Sequence, residues 1–335
     1  MINDELGKIF DEVLSKQIEE WRAEGLLDDE IRTKLDNINF EDTFASITEK
    51  AAVDTVEFFK EHMYEIDFEE KIRTNEFLSH QESIWGKGFV ASQAMYVMAV
   101  EAAELYSNYV QEDVDNAVKE KKKYRYLVLQ HMQGRACQMF LEILCLMRCG
   151  FADGAYARWR SMYELCCCAC FILKQGEKIA EQYYLQSENP ARSGNQSYQW
   201  ANGAKNKKGN IPAEWSFVQI QDCCDDNDTW KDIWKEQYRL ACSVTHASPE
   251  GTFKRLANFT TDNILPVGHS DYGISIAAEH SAISLQWITA MFLNIFPNMD
   301  GITRSRAIGA WVDVIRELYY NAEDEAFDKS KQVTE

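Results

Sequence analysis

Apolar residues recur at intervals of three and four along most of the chain, the spacing that places them on one face of an α-helix. The stretch "NDELGKIFDEVLSKQIEEWRAEG" near the start shows this pattern. Its apolar positions are Leu6, Ile9, Phe10, Val13, Leu14, Ile18 and Trp21. Only 5 prolines and 16 glycines are present to interrupt such segments. We therefore predict an all-α fold, a multi-helix bundle with an acidic helical N-terminal extension.

Breaks in the pattern predict three regions. Residues 1–85 form an acidic helical N-terminal region, residues 86–325 a helical bundle, and residues 326–335 a polar tail. The boundary is placed at "SIWGKGF", residues 83–89, because two glycines close together favour a turn. Gly25 is predicted to end the first helix.

A helical hairpin is predicted in the middle of the chain. One helix runs from about residue 124 to 149, the turn "GFADGA" follows, and a second helix continues through "LCCCACFIL". Asp153 is the expected N-cap of the second helix and Gly176 its stop. Because the turn is short, the two helices should pack antiparallel.

Charge is distributed unevenly. The chain has 54 acidic and 35 basic residues, a net charge of -19, and residues 1–80 alone hold 22 acidic against 9 basic residues. This balance disfavours a protein whose affinity comes from neutralising phosphates. The acidic N-terminal region has two interpretations, a solvated helical surface or a docking face for a basic protein partner.

The apolar runs and the cysteines predict the cellular compartment and whether the chain crosses a membrane. The start "MINDELGKIFDEV" lacks the basic and apolar parts of a secretory signal, and ten cysteines in so long a chain do not indicate a disulfide scaffold. The longest strictly apolar run, residues 165–173, is about half of what a bilayer crossing needs. We predict a cytoplasmic protein with no membrane partner.

A polar stretch, residues 188–212, is rich in Gly and Asn and is predicted to be a loop. Loops of this length are either flexible or functional. It carries a basic cluster, Lys205, Lys207 and Lys208, which are candidate substrate-binding residues. Tyr198 and Trp200 beside them would suit a stacking surface for a nucleotide.

Arg160 and Glu164 are four residues apart in "RWRSMYELCCC", so they lie one turn apart on one helix face. The helix beyond Glu164 is apolar all round, which indicates burial. The pair is either a core ion pair that fixes helix packing or part of a polar pocket in the bundle. In the second case Arg160 would bind an anion and Glu164 would orient a base or a metal.

Arg239 and His246 are seven positions apart in "EQYRLACSVTHAS", so they project from one helix face about 10 Å apart along the axis. The spacing is similar to the HEPN ribonuclease motif, in which an Arg and a His line a cleft completed by a second copy of the domain. Leu240 stands where that motif usually has a polar residue. The alternative is a structural His at a helix C-terminus. Two other pairs also fall within the range of spacings that the motif allows, Arg73 with His80 and Arg125 with His131.

The cysteines raise a metal hypothesis, since Cys145 and Cys149, and Cys166 and Cys170, are spaced one helical turn apart. Structural zinc sites normally use paired CxxC knuckles, which are absent, and cysteine is also a small core residue. The chain shows no phosphate-binding glycine loop, HExxH, GxSxG or kinase signature. We predict no metal and no cofactor.

The hairpin "LMRCGFADGAYARWRSMYELCCCACFIL" followed by "YRLACSVTHAS" resembles the DUF5677 family of bacterial helical proteins of unknown function. The resemblance covers about residues 120–295. Its shared positions are Gly150, Arg160, Glu164, Tyr238 and His246. The resemblance implies that Arg160, Glu164 and His246 belong to one site, to which Tyr238 would add a substrate contact.

Two functions are therefore expected. The first is a HEPN-like, metal-independent ribonuclease of the toxin or antiviral-defence kind, with His246 as acid-base, Arg160 and Arg239 as phosphate binders and Glu164 as orienter. Its partners would be an RNA substrate and a second copy of the chain. The alternative is a non-catalytic helical interaction or ligand-binding module that recruits a protein partner through its acidic N-terminal helices.

Overall fold

The fold was determined as a computed structural model, which describes residues 2–36, 40–188, 198–224, 228–246, 248–253, 256–257 and 267–327. Every regular element within these ranges is a helix, which confirms the predicted all-α class. The helices are α1 (Ile2–Ala23), α2 (Asp28–Asp36), α3 (Phe40–Glu112), α4 (Asn116–Glu120), α5 (Lys123–Arg148), α6 (Ala152–Gln175), α7 (Glu177–Glu188), a 3-10 turn (Gln199–Ala201), α8 (Phe217–Cys224), α9 (Asp228–Thr245), α10 (Pro249–Phe253), α11 (Ile274–Leu293) and α12 (Met299–Phe327).

The chain divides into two compact units, Met1–Asn75 and Glu76–Glu335. The division falls inside α3, about ten residues before the predicted boundary between residues 85 and 86. The turn predicted at residues 83–89 is wrong, because α3 continues through it without a break. A Cβ on Gly88 would lie 2.8 Å from the Tyr319 ring, so this glycine permits close helix packing. The predicted tail lies, from residue 328 onward, outside the described residues.

The first unit begins with α1 and α2, which pack against each other. Gly25 follows α1 with φ of +88°, as expected for the residue that ends a helix, and the Leu26 amide donates to the Trp21 carbonyl. Ile31 of α2 and Ile47 of α3 are buried. The side chains of residues 2–10 lie outside the described part, so the first half of the α1 apolar stripe stays a prediction.

The second unit is a bundle built around α11, which packs against α5, α6 and α12. Twelve of the 20 residues of α11 are buried. Small buried residues such as Ala278 and Ser281 allow neighbouring helices to approach from several sides, and Leu285 and Phe292 fill the core. None of the helices in the described part of the chain combines the length and apolar character needed to cross a membrane.

Helices α5 and α6 form the predicted antiparallel hairpin. Gly150 in the turn has φ of +73°, and a Cβ there would lie 2.4 Å from the Phe77 ring. Gly176 ends α6 with φ of +94°, as predicted. Asp153 is not the N-cap, since Phe151 occupies that position and makes no side-chain cap. The Asp153 carboxylate accepts instead from the Leu256 amide at 2.8 Å.

Candidate functional site

Three of the predicted residues meet between α6 and α9. Arg160 and Glu164, one turn apart on α6, form an ion pair with 3.0 Å between Nη2 and Oε1. The Tyr238 hydroxyl of α9 donates to the same Glu164 oxygen at 2.7 Å. The Arg160 guanidinium lies 5.6 Å from the centroid of the Tyr238 ring. We call Arg160, Glu164 and Tyr238 the α6–α9 cluster.

The α6–α9 cluster is half-buried, with 23% of the Arg160 and 29% of the Glu164 side chain exposed. Burial alone would lower the pKa of Arg160, but the hydrogen bond with Tyr238 and the charge of Glu164 raise it above its usual value. Burial and then the hydrogen bond to Glu164 raise the pKa of Tyr238. The cluster therefore consists of a cation, a carboxylate and a neutral phenol.

One polar group of the α6–α9 cluster lacks a hydrogen-bond partner among the described residues. The Nε of Arg160 is buried and donates to no hydrogen-bond partner within the described residues. Arginine has five donors in a planar fork, and the Glu164 carboxylate and the Tyr238 phenol use part of that capacity here. The mutual satisfaction of Arg160, Glu164 and Tyr238 fits the structural interpretation of the Arg160–Glu164 spacing.

Arg239 and His246 lie elsewhere on α9. Arg239 is exposed and pairs with Glu250 of α10 at 2.8 Å. His246 follows the last residue of α9, as the sequence predicts, and its side chain is exposed. Within the described residues its imidazole makes no hydrogen bond or ion pair. The structure thus brings Tyr238 to Arg160 and Glu164. It shows no contact of Arg239 or His246 with these three residues. The catalytic roles of Arg239 and His246 stay predictions.

The predicted basic loop is described from residue 198 onward. Lys205, Lys207 and Lys208 are exposed. The Gln175 side chain anchors the loop by bonding both the amide and the carbonyl of Lys205, at 3.2 and 2.8 Å. The stacking surface is wrong for Trp200, which is buried and packs edge-on against Phe171 at 5.7 Å.

A half-buried histidine on α11 is a polar centre to which the sequence pattern assigns no function. The rings of Tyr156, Trp159 and Trp234 surround His280, with centroids 5.0 to 5.8 Å away. Its Nδ1 donates to the Ile276 carbonyl at 2.6 Å. Burial lowers the pKa of His280, so the ring is neutral at pH 7. The one signal in the sequence is an adjacent Glu and His in an otherwise uncharged helix.

The neighbouring Glu279 is held by helix α12. Arg316 Nε donates to Glu279 Oε1 at 2.5 Å and the Tyr320 hydroxyl to Oε2 at 2.8 Å. Burial alone would raise the pKa of Glu279, but the bonds from Arg316 and Tyr320 lower it below its usual value. This group is an ion pair between helices, so it serves packing of α11 on α12.

The cysteines line a cavity of about 330 Å³ in the bundle. Cys166, Cys167 and Cys170 of α6 face it together with Cys224 of α8. Burial raises the pKa of Cys166 and Cys167, so both are neutral thiols. Among the described residues no group of three or more His, Cys, Asp or Glu side chains has an arrangement that could hold a metal ion.

Comparison with known proteins supports the resemblance seen in the sequence. Residues 126–264 match the model of DUF5677, a family of unknown function. The match includes the hairpin, the α6–α9 cluster, Arg239 and His246. No curated protein and no solved structure matches the chain.

Proposed function

We propose that this chain is a non-catalytic helical interaction module. The family that residues 126–264 match has no assigned function. In this proposal residues 53–72 of α3, which we call the docking segment, bind a basic amphipathic helix of a partner protein. The bundle is the scaffold that carries the segment, and the α6–α9 cluster stabilises that scaffold.

The exposure of large apolar side chains on the docking segment carries the proposal. Eight of them are 44–76% exposed, whereas a helix in a folded domain normally buries such residues. They are Val53, Val56, Phe58, Phe59, Met63, Tyr64, Phe68 and Ile72. Exposed apolar surface of this density marks a site of interaction.

Charge on the docking segment specifies the partner. The segment has 7 acidic and 2 basic residues. Tyr64, Phe68 and Ile72 are spaced by four and follow one face. Glu61 and Glu65 run along the same face, seven residues before Phe68 and Ile72. Within the described residues neither glutamate forms an ion pair.

A partner helix that places apolar residues on this face and Lys or Arg beside it would match both features. Self-association through the same segment would set carboxylates against carboxylates, which costs free energy. The partner chemistry is therefore a basic amphipathic helix rather than a second copy of the chain.

A synthetic probe tests the proposal. The probe is a peptide of about 15 Leu and Lys residues at helical spacing, and its control has the same composition in scrambled order. We expect the ordered peptide to bind the full chain in a salt-sensitive manner. The triple variant Tyr64→Ser, Phe68→Ser, Ile72→Ser should bind at least about tenfold more weakly.

The matched control alters the same helix outside the docking segment. Val90, Val97 and Leu105 are 43–63% exposed, so the triple change of these residues to Ser removes similar surface. It should leave the affinity unchanged. Equal binding of the scrambled peptide, or equal weakening by the control variant, would contradict the proposal.

The ribonuclease remains a second candidate because Arg239 and His246 are both exposed on α9, seven residues apart. Exposure suits a dyad that faces a second copy of the domain. The test is cleavage of total RNA with and without EDTA by the wild type, His246→Ala and Arg239→Gln. The candidate predicts cleavage by the wild type alone, and absence of cleavage by all three proteins would remove it.

A further inference from the structure

A second cavity, of about 490 Å³, is lined by residues of α5, α6 and α7. Val128 and Met132 of α5, both buried, and Leu165 of α6 supply apolar surface. Tyr183 and Tyr184 of α7 supply two aromatic rings. The volume lies within the range of small-molecule sites, and an apolar interior with few polar groups is their usual composition.

Two basic side chains stand at this cavity. His131 and Arg135 are one turn apart on α5, and both are exposed. Within the described residues, neither forms a hydrogen bond or an ion pair, although Glu188 lines the same cavity. The cavity therefore has an aromatic wall and a cation whose donors are available.

The other arginines of the hairpin are used in ion pairs or in packing on an aromatic ring. Arg125 pairs with Glu177 at 3.0 Å, Arg158 pairs with Glu142, and Arg160 pairs with Glu164. Arg148 lies 5.2 Å from the Phe89 ring. An arginine that packing does not use, placed at the edge of a preformed cavity, is the group expected to bind an anion.

Tyr183 connects the cation to the aromatic wall. Burial raises the pKa of Tyr183 to about 12, and the positive charge of Arg135 acts in the opposite direction. Its hydroxyl therefore stays protonated and can donate to a ligand. No described residue forms a hydrogen bond with that hydroxyl.

We propose that this cavity binds an aromatic anion, a planar ring that packs against Tyr183 and Tyr184 and carries a phosphate or a carboxylate that Arg135 binds. Tyrosine faces are suitable surfaces for flat rings, and a guanidinium binds either anionic group in a bidentate manner. The site is separate from the docking segment and does not depend on its function.

Calorimetric titration of the full chain tests the site with two anionic probes. Adenosine monophosphate carries the phosphate and indole-3-acetate the carboxylate. Adenosine, indole-3-acetamide and inorganic phosphate serve as controls that lack either the charge or the ring. We expect at least one anionic probe to bind at least about tenfold more tightly than its neutral counterpart and than phosphate alone. The probe that binds identifies the anionic group, and binding of both supports the shared chemistry.

Substitutions then locate the binding. Arg135→Gln should weaken the affinity at least about tenfold, since it removes a charge-assisted hydrogen bond. Arg306→Gln is the matched control, because Arg306 is exposed on α12 and forms no ion pair with a described residue. Both changes are on the surface, so the melting temperatures should stay close to that of the wild type. Failure of every anionic probe to bind with a Kd below about 1 mM, or unchanged affinity in Arg135→Gln, would overturn the proposal.

Discussion

Helix α6 and the docking segment of α3 both carry many large apolar side chains, but α6 buries them and the docking segment exposes them. Eleven residues of α6 are buried. None of residues 53–72 is buried. The difference lies in the residues between the apolar ones. α6 has no charged residue between Glu164 and Lys174, whereas the docking segment places acidic residues throughout. Apolar content alone therefore does not separate core from docking surface.

The largest expected effect of this difference is on folding stability. Trp159 of α6 is fully buried and Phe59 of the docking segment is 55% exposed. We expect Trp159→Ala to lower the free energy of unfolding by about 3–5 kcal/mol, because it leaves a cavity. Phe59→Ala should change it by no more than about 0.5 kcal/mol. Urea denaturation measures both, and equal losses would show that the segment belongs to the core.

Two neighbouring glycines of α3 also differ in whether they lie against packed or exposed side chains. Gly88 meets the Tyr319 ring, so Gly88→Ala should destabilise the bundle by about 1–3 kcal/mol through overpacking. Gly86 faces only the flexible end of Glu82, so Gly86→Ala should be neutral or stabilising by up to about 1 kcal/mol. Denaturation midpoints of both variants check this, and a neutral Gly88→Ala would contradict the packing of α3 on α12.

On helix α9 the half-buried Tyr238 and the exposed Arg239 are neighbours, and we expect a smaller difference in stability between their variants. Tyr238→Phe removes a hydrogen bond to Glu164 and should cost about 1 kcal/mol. Arg239→Ala should cost less than about 0.5 kcal/mol, since its ion pair with Glu250 is at the surface. Thermal unfolding compares the two. A larger loss for Arg239→Ala would mean that α10 is held to α9 more strongly than the exposed pair suggests.

The half-buried His280 predicts a pH effect on folding stability. Its folded-state pKa lies below the ordinary value of 6.5, so the unfolded chain takes up a proton that the folded chain excludes. Stability should therefore fall as pH decreases below about 6.5. His280→Gln should remove that part of the slope, measured as unfolding free energy between pH 8 and pH 5.5. An identical slope in wild type and variant would contradict burial of a neutral imidazole.

Local features of the fold were predictable from the sequence, and distant packing was not. The hairpin and its limits follow from Gly150 and Gly176, whose positive φ angles are local requirements. The continuity of α3 was missed because Gly88 serves a contact with Tyr319, which is remote in the chain. The polar sequence around Trp200 predicts an exposed stacking surface, but the Trp200 ring packs into the core.

The candidate site also combines contacts that the sequence predicts with features that it does not. The Arg160–Glu164 pair follows from helical spacing, since both side chains lie on α6. The resemblance to DUF5677 pointed to Tyr238, whose bond to Glu164 spans 74 positions. The exposure of residues 53–72 and the cavity beside Arg135 depend on which helices pack together, which periodicity does not specify.

Hydrogen–deuterium exchange of the full chain, with and without the ordered Leu–Lys peptide, tests the docking segment most directly. The segment has exposed side chains around a helical backbone, so its amides should gain protection when a partner helix covers them. We predict protection confined to residues 53–72 and their immediate neighbours, with none at Val90, Val97 or Leu105. Protection spread over the bundle, or no protection at saturating peptide, would contradict the account.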